Sequence, residues 1–422
     1  MNSPVWKSVP LSSCIDKVID FRGKTPKKIG MEWGNGSIRA LSANNVKQGY
    51  IDFKRECYLA SEELYDAWMT KGDCSKGDIV FTMEAPLGNV ALIPDDNKYI
   101  LSQRVILLKP NESVLSEYLF HFMSSESFQN ELNANATGST AKGIKQTRLV
   151  KLKVTLPPTD EQQKIAEVLS TVDKKIDLID QKIAETEKLK TGLMQKLFSE
   201  GVGVQDENGE WQPHTKFQDS PFGTIPAIWN LNKLSTYCSI VAGVSPSKLN
   251  LNESEGYPFF KVEEFNYSKK LLTKSRNYVS NQASCHTGEF LLLPKRGAAI
   301  FLNKLRLAKG TFQIDTNVMG ISFDKAVANL DFMLYRLLFE RLESIADVST
   351  IPQINNKHIN PYIIPLPPLG EQQKIAQIIS TVFEKIDLLE QQKAETQQLK
   401  KGLMQKLLTG EWRVPVEETE AA

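Results

Sequence analysis

One 43-residue segment occurs twice in this chain. Residues 156–198 read LPPTDEQQKIAEVLSTVDKKIDLIDQKIAETEKLKTGLMQKLF, and residues 366–408 read LPPLGEQQKIAQIISTVFEKIDLLEQQKAETQQLKKGLMQKLL. They align without a gap and agree at 28 of 43 positions. Repetition at this level signals duplicated architecture. Two equivalent stations separated by unlike segments are expected.

Each copy has the pattern of a long helix. Apolar residues fall at Ile165, Leu169, Val172, Ile176, Ile179 and Ile183, in alternating steps of four and three. The second copy repeats them at Ile375, Ile379, Val382, Ile386 and Leu389. Such a heptad seam needs a partner helix. Polar Thr186 and Lys190 interrupt the first seam, and Lys393, Thr396 and Lys400 the second; a looser stretch, or one that faces a partner, is expected there. Pro157-Pro158 and Pro367-Pro368 close the preceding strand-like runs, because proline disfavours helix in the residue before it. Asp160 is expected as the first helix N-cap. Each helix reaches about 39 residues, or about 58 Å. Connectivity favours an antiparallel pair: the intervening segment must leave the end of one helix and return to the start of the other. The expected fold class is α+β. Two mixed strand-and-helix domains are joined by two long helices in an antiparallel coiled coil with pseudo-two-fold symmetry.

The expected boundaries are a first domain at 1–155, a first spacer helix at 156–198 and a linker at 199–226. A second domain at 227–365, a second helix at 366–410 and a tail at 411–422 follow. A chain of 422 residues exceeds one ordinary core. No run of about 18 apolar residues occurs, so no membrane partner is expected. MNSPVWKSVPLSSC lacks a signal-peptide pattern. Five scattered cysteines without a CxxC pair fit a reduced, cytoplasmic setting.

The net charge is only +1, but it is unevenly spread. Residues 1–155 carry +3, residues 227–365 carry +5 and the linker carries −4. No acid lies between Glu131 and Asp160, or between Glu289 and Asp315, while five basic residues fall in each stretch. Acid-free basic stretches in both unlike segments suit a polyanion.

Both unlike segments follow the same order: strand-like runs, an amphipathic helix (Ser116–Asn133; Asp331–Ile345), a polar loop (138–148; 349–357) and a final strand before Pro-Pro. The whole chain resembles the specificity subunit of type I restriction–modification systems. The resemblance rests on the duplicated Pro-Pro-x-x-Glu-Gln helices and on a strand–GxxA/V–strand pattern (Glu84–Ile93; Lys295–Ile300). A Gly/Ser-rich loop before each helix is the third feature. It implies a non-catalytic DNA-binding subunit in which each variable segment reads one half of a split, asymmetric double-stranded target. It also implies helices that set the spacer and dock two modification subunits, with restriction subunits joining them. S-adenosylmethionine, ATP and Mg2+ would sit on those partners, with no cofactor on this chain. The helix length bounds the separation at about 17 base pairs.

Bases are read mainly by Arg or Lys on guanine and by Asn or Gln on adenine; phosphates take Lys, Arg, Ser and Thr. The DNA-binding candidates in the first domain are Lys24, Thr25, Lys27, Lys28, Asn44, Asn45, Gln103, Arg104, Lys142, Lys145, Gln146 and Arg148. In the second they are Ser247, Lys248, Lys261, Lys295, Arg296, Asn303, Arg306, Asn317, Gln353, Asn355, Asn356 and Lys357.

Catalytic readings find little support. Asn360-Pro-Tyr-Ile363 is similar to the (N/D)PP(Y/F) motif of amino-methyltransferases, but lacks one proline and a glycine-rich cofactor loop. Gly72–Gly77 is followed by Asp78-Ile79, which breaks a phosphate-binding loop. Pro94-Asp95 lacks a nuclease partner motif. The four histidines are isolated, so no metal site is expected. The alternatives left open are a structural adaptor that assembles protein or RNA partners through the coiled coil, and a self-sufficient methyltransferase.

Overall fold

The computed structural model describes residues 6–138, 141–347 and 351–415. Ser139, Thr140, Ser349 and Thr350 of the expected loops, the first five residues and tail residues 416–422 lie outside that range. The chain divides into two compact units, residues 1–181 with 390–422, and residues 182–389.

In the first unit the apolar runs form a four-stranded antiparallel sheet. Its order is Ile15–Asp20, Val105–Pro110, Ile79–Met83, Leu87–Leu92. Side chains alternate across a strand. Ile79, Phe81 and Met83 enter one core, while Val80 enters another with Ala91, Val105 and Leu107. Burial on both faces explains why these strands are continuously apolar. A three-stranded sheet (Leu59–Ala60, Ile38–Leu41, Tyr99–Leu101) borders the second core.

The expected helix over 116–133 is two helices, Ser116–Ser124 and Glu126–Ala134. Ser125 is extended (ψ 151°), and its side chain caps the second helix by accepting from Phe128 N. The strand-like run from Leu149 is also corrected: Gln146–Leu149 is one helical turn, and the strand is Lys153–Leu156, paired with Lys7–Pro10.

The second unit carries a larger sheet. Its central strands run Cys238–Ala242, Val318–Phe323, His286–Pro294, Arg306–Ile314, Tyr257–Phe260. Leu291, Leu293, Leu307 and Ile321 face one core; Phe290, Leu292, Ala308 and Phe312 face the other. Leu330–Glu340 packs over the first of these cores. That helix stops at Arg341, which is left-handed at φ 57°, rather than continuing to Ile345.

The repeats form helices at Thr159–Ser199 and Leu369–Leu407, of 41 and 39 residues. Asp160 is not the N-cap: the helix already includes Thr159, and Gln162 N bonds Pro158 O at 2.9 Å. Within the first unit the two helices run antiparallel, with Asp173 bonded to Lys400 and Asp180 to Lys393, each at 2.6 Å. Within the second unit Lys190 lies 5.0 Å from the ring centre of Phe383, while Met194 and Leu197 share a core with Ile375 and Ile379. The seam residues Ile165, Leu169, Val172, Ile176, Ile179 and Ile183, and Ile375, Ile379, Val382, Ile386 and Leu389, are all buried or half-buried.

The seam gains one role, and one expectation about it changes. Its first turns serve the domain cores as well: Ile165 and Leu169 join the sheet cluster of the first unit. The polar interruption is not loose, because Lys393 and Lys400 are paired with acids and Thr396 is buried with its hydroxyl on Gln392 O.

The repeated Glu-Gln of each helix explains how a domain is fastened to it. Gln162 accepts from Leu115 N and donates to the carbonyls of Ser113 and Pro157. Gln372 does the same with Asn329 N and the carbonyls of Val327 and Pro367. Glu161 accepts from the Trp6 indole and from Arg413. Glu371 accepts from the Trp229 indole, His214 and the amides of Val202 and Gly203.

Candidate nucleic-acid interface

The long loops of each domain are tied together by a small hydrogen-bonded frame. In the first domain Met83 N donates to Arg104 O at 2.8 Å, and Ile144 N donates to Met83 O at 3.1 Å. Glu84 bridges Gly143, which in turn bridges Thr137. In the second domain Lys295 N donates to Asn317 O at 2.8 Å, and Ile354 N donates to Lys295 O at 2.9 Å. Arg296 bridges Gln353, which in turn bridges Asp347. The frames coincide bond for bond. Glu84, Arg104 and Gly143 therefore occupy the positions of Arg296, Asn317 and Gln353.

The first frame gathers exposed Gln103, Arg104, Lys142 and Lys145 with half-buried Gln146. Ala43 N bonds Gln103 O, which brings in the loop carrying Asn44. Arg148 begins nearby but donates to Asn135 O at 3.3 Å. The second frame gathers Lys295, Arg296, Asn317 and Gln353. Val244 bridges Asp315, which brings Ser247 and Lys248 toward the same strand ends. Ser245 Oγ lies 2.8 Å from Ser247 Oγ.

Several expected contacts are spent inside the fold. Asn45 is fully buried, accepting from Ser42 N and donating to Ala40 O, so it shapes its loop and presents nothing outward. Lys24 is half-buried, with its amine on the carbonyls of Ala67 and Trp68. Burial lowers its pKa, with Lys71 adding to the effect. Lys28 bonds Gly23 O, while Thr25 precedes the helical turn that holds exposed Lys27. Asn44 donates to Glu56 O but stays exposed.

In the second domain Asn303 donates to Leu338 O. Arg306 donates to the carbonyls of Phe265 and Ser268, and burial lowers its pKa. Both spend side-chain hydrogen bonds inside the fold, Arg306 on Leu305 O as well. Lys261 lies against the Phe259 ring and donates to Asn277 at 3.3 Å. Asn355 caps the turn Asn356–Ile359, leaving Asn356 and Lys357 exposed, with Lys357 4.0 Å from Asp347.

Three roles are not given by residue type alone. Glu84 was passed over because acids are not expected on a polyanion surface; only the frame reveals its position. Glu161 and Glu371 hold the junctions, and their identical place in both repeats was the available signal. Arg336, 1 % exposed, donates to Phe198 O and pairs with Glu340, and had no sequence signal at all. Among the described residues no group of His, Cys, Asp or Glu could hold a metal ion. No helix among them is long and apolar enough to cross a membrane.

Residues 6–188 and 226–398 match the family described as type I restriction modification DNA specificity domain, so the domain occurs in two copies. The chain is 30% identical over 386 residues to a provisionally named type I restriction enzyme MjaX specificity subunit of Methanocaldococcus jannaschii. That match covers 87% of this chain and 86% of the relative. It is 26% identical to the MjaVIII specificity subunit of the same organism, covering 90% of each. The fold resembles the crystal structure of a type I restriction–modification S subunit from M. genitalium. The TM-score is 0.59 at 16% identity, covering 96% of this chain and 97% of that one. A chain in a structure of a type I R-M system gives a TM-score of 0.58 at 20% identity, covering 97% and 99%. With most of its length in two specificity domains, this chain belongs to the type I restriction–modification DNA specificity family and is a specificity subunit, a non-catalytic component of its complex.

Proposed function

We propose that each domain reads one half of a bipartite, asymmetric DNA target through its loop frame, and that the paired helices set the spacer and carry two modification subunits. The observation that carries this reading is the repeated frame: identical backbone bonding presents Glu, Arg and Gly in one domain and Arg, Asn and Gln in the other. A scaffold held constant while its outward side chains differ suits two unlike half-sites. Surrounding Lys and Ser residues supply phosphate contacts, which fix register without reading sequence. S-adenosylmethionine would be bound by the modification subunits, and ATP and Mg2+ by restriction subunits. The setting would be the cytoplasm.

The domain limits at 1–155 and 227–365, the spacer helices at 156–198 and 366–410, the linker at 199–226 and the tail at 411–422 belong to the same proposal. Coexpression with the modification subunits, followed by mapping of methylated adenines, tests it. A split motif with two different halves is expected. A continuous motif, or no sequence preference, would overturn it.

A further inference from the structure

The first reading frame contains an acid in its centre. Glu84 and Arg104 are each about half exposed, and the carboxylate Oε1 lies 3.7 Å from the guanidinium Nε. Both sit on constrained backbone. Arg104 has φ 67°, and Ala85, next to Glu84, has φ 41°, values rare for residues with a side chain. Gly143 leaves room for the acid: a Cβ there would meet Glu84 Cβ at 3.2 Å and Met83 O at 3.3 Å. Strain of this kind persists where surrounding structure holds it, and it clusters at functional positions.

Against phosphates alone, Glu84 is unfavourable. A carboxylate on a DNA-facing surface repels the backbone and weakens the neighbouring cations. Its useful chemistry is to accept from a base amino group. In the major groove only cytosine N4 and adenine N6 donate. The adjacent Arg104 decides between them. A guanidinium needs two acceptors side by side, which guanine O6 and N7 provide, whereas adenine offers N7 next to a donor. Acceptor beside donor, as Glu84 and Arg104 present them, complements one C·G pair read across both bases.

We infer that Glu84 and Arg104 together read a single C·G base pair in the first half-site, Glu84 on the cytosine and Arg104 on the guanine. The inference rests on the proposed function and names the base chemistry of one position. The second domain serves as an internal control, because Arg296, Asn317 and Gln353 stand at the positions of Glu84, Arg104 and Gly143, and the acid of that frame, Asp347, stands instead at the position of Thr137.

The full chain, coexpressed with its modification subunits in a host without its own adenine methylation, provides the test. Methylated adenines are mapped for the native chain and for Glu84→Ala, Glu84→Gln and Arg104→Ala. Glu84→Ala and Arg104→Ala should relax the same C·G position, lowering discrimination there by about 5- to 150-fold, the range for one bidentate contact. Glu84→Gln keeps an acceptor for cytosine N4 but loses the charge, and Arg104 still selects guanine, so that position should stay C·G with discrimination between those of the native chain and Glu84→Ala. The second half-site should be unchanged in all three.

Binding to non-specific duplex should tighten in Glu84→Ala, because a repulsive charge is gone. A purely structural role for Glu84 would not produce that gain. Unchanged motifs, relaxation at two different positions, relaxation at an A·T position, or loss of all methylation in every variant would each overturn the inference. A native chain that itself yields no split motif would instead sink the functional reading.

Discussion

Replacing Glu371 by alanine isolates the junction that fastens the second domain to its helix. The carboxylate is 2% exposed and accepts from Val202 N at 2.9 Å, Gly203 N at 3.1 Å, Trp229 Nε1 at 2.9 Å and His214 Nε2 at 2.9 Å. Alanine removes the acceptor and leaves the donors behind. A buried donor left unsatisfied costs about 1–3 kcal/mol, but water entering the vacated space recovers part of it. Two to three uncompensated donors give an expected loss of about 3–5 kcal/mol for the second unit. Glu161→Ala breaks the equivalent junction in the first unit, where the carboxylate's partners among the described residues are Trp6 and Arg413, and the Arg413 side chain is 39% exposed. Its loss should be clearly smaller. Urea unfolding followed by tryptophan fluorescence reads both, since Trp6 and Trp229 sit on the two carboxylates. Equal midpoints for the two variants would refute the argument that the number of buried donors decides the cost.

Four further outcomes can be checked. Burial, with Lys400 adding, pushes the His121 imidazole down to about 3; the unfolded chain then binds the extra proton first, so its stability contribution is whole above about pH 6.5 and is lost as pH falls toward 3. His121→Gln should flatten unfolding midpoints over that window, and an unaltered slope would contradict the assignment. Gly243→Ala should lower stability by about 1–3 kcal/mol and impair only the second half-site, because a Cβ there would meet Asp315 O at 2.0 Å and break the Val244 bridge; methylation mapping reads the half-sites separately. Arg336→Ala should cost about 3–5 kcal/mol, because Glu340 loses its cation while keeping the Tyr362 hydroxyl, and Phe198 O loses its donor; urea unfolding reads it. Removing one heptad from each long helix shortens it by about 10 Å, so the methylated spacer should contract by about three base pairs; an unchanged spacer would mean that the helices are not the ruler.

Much of the architecture was written in local pattern. Heptad spacing from Ile165 to Ile183 and from Ile375 to Leu389 specified two helices, because a seam with a period near 3.5 has no other use. Strand-like runs at 77–82 and 103–108 were legible, and they overlap the strands Ile79–Met83 and Val105–Pro110. The break at Ser125 was not, since Ser116–Asn133 keeps a helical pattern through the residue that caps a new helix. The candidate interface was only partly legible. Residue type nominated Arg104, Arg296, Asn317 and Gln353. It also nominated Asn45, Asn303 and Arg306, whose polar groups are consumed by backbone carbonyls and amides, and it passed over Glu84.

Sequence alone determined that this chain has two like helices and two unlike domains, because periodicity and repetition are properties of neighbouring residues. Tertiary structure decided which polar side chains face outward. Whether an asparagine bonds Ala40 O or remains exposed depends on residues distant in sequence, as does the alignment of Glu84 with Arg296 on matching frames. The repeated Glu-Gln was visible as a motif. Its work, accepting tryptophan indoles and bridging helix starts, appears only once the chain has brought Trp6 to Glu161 and Trp229 to Glu371, because a hydrogen bond is set by distance in space and not by position along the chain.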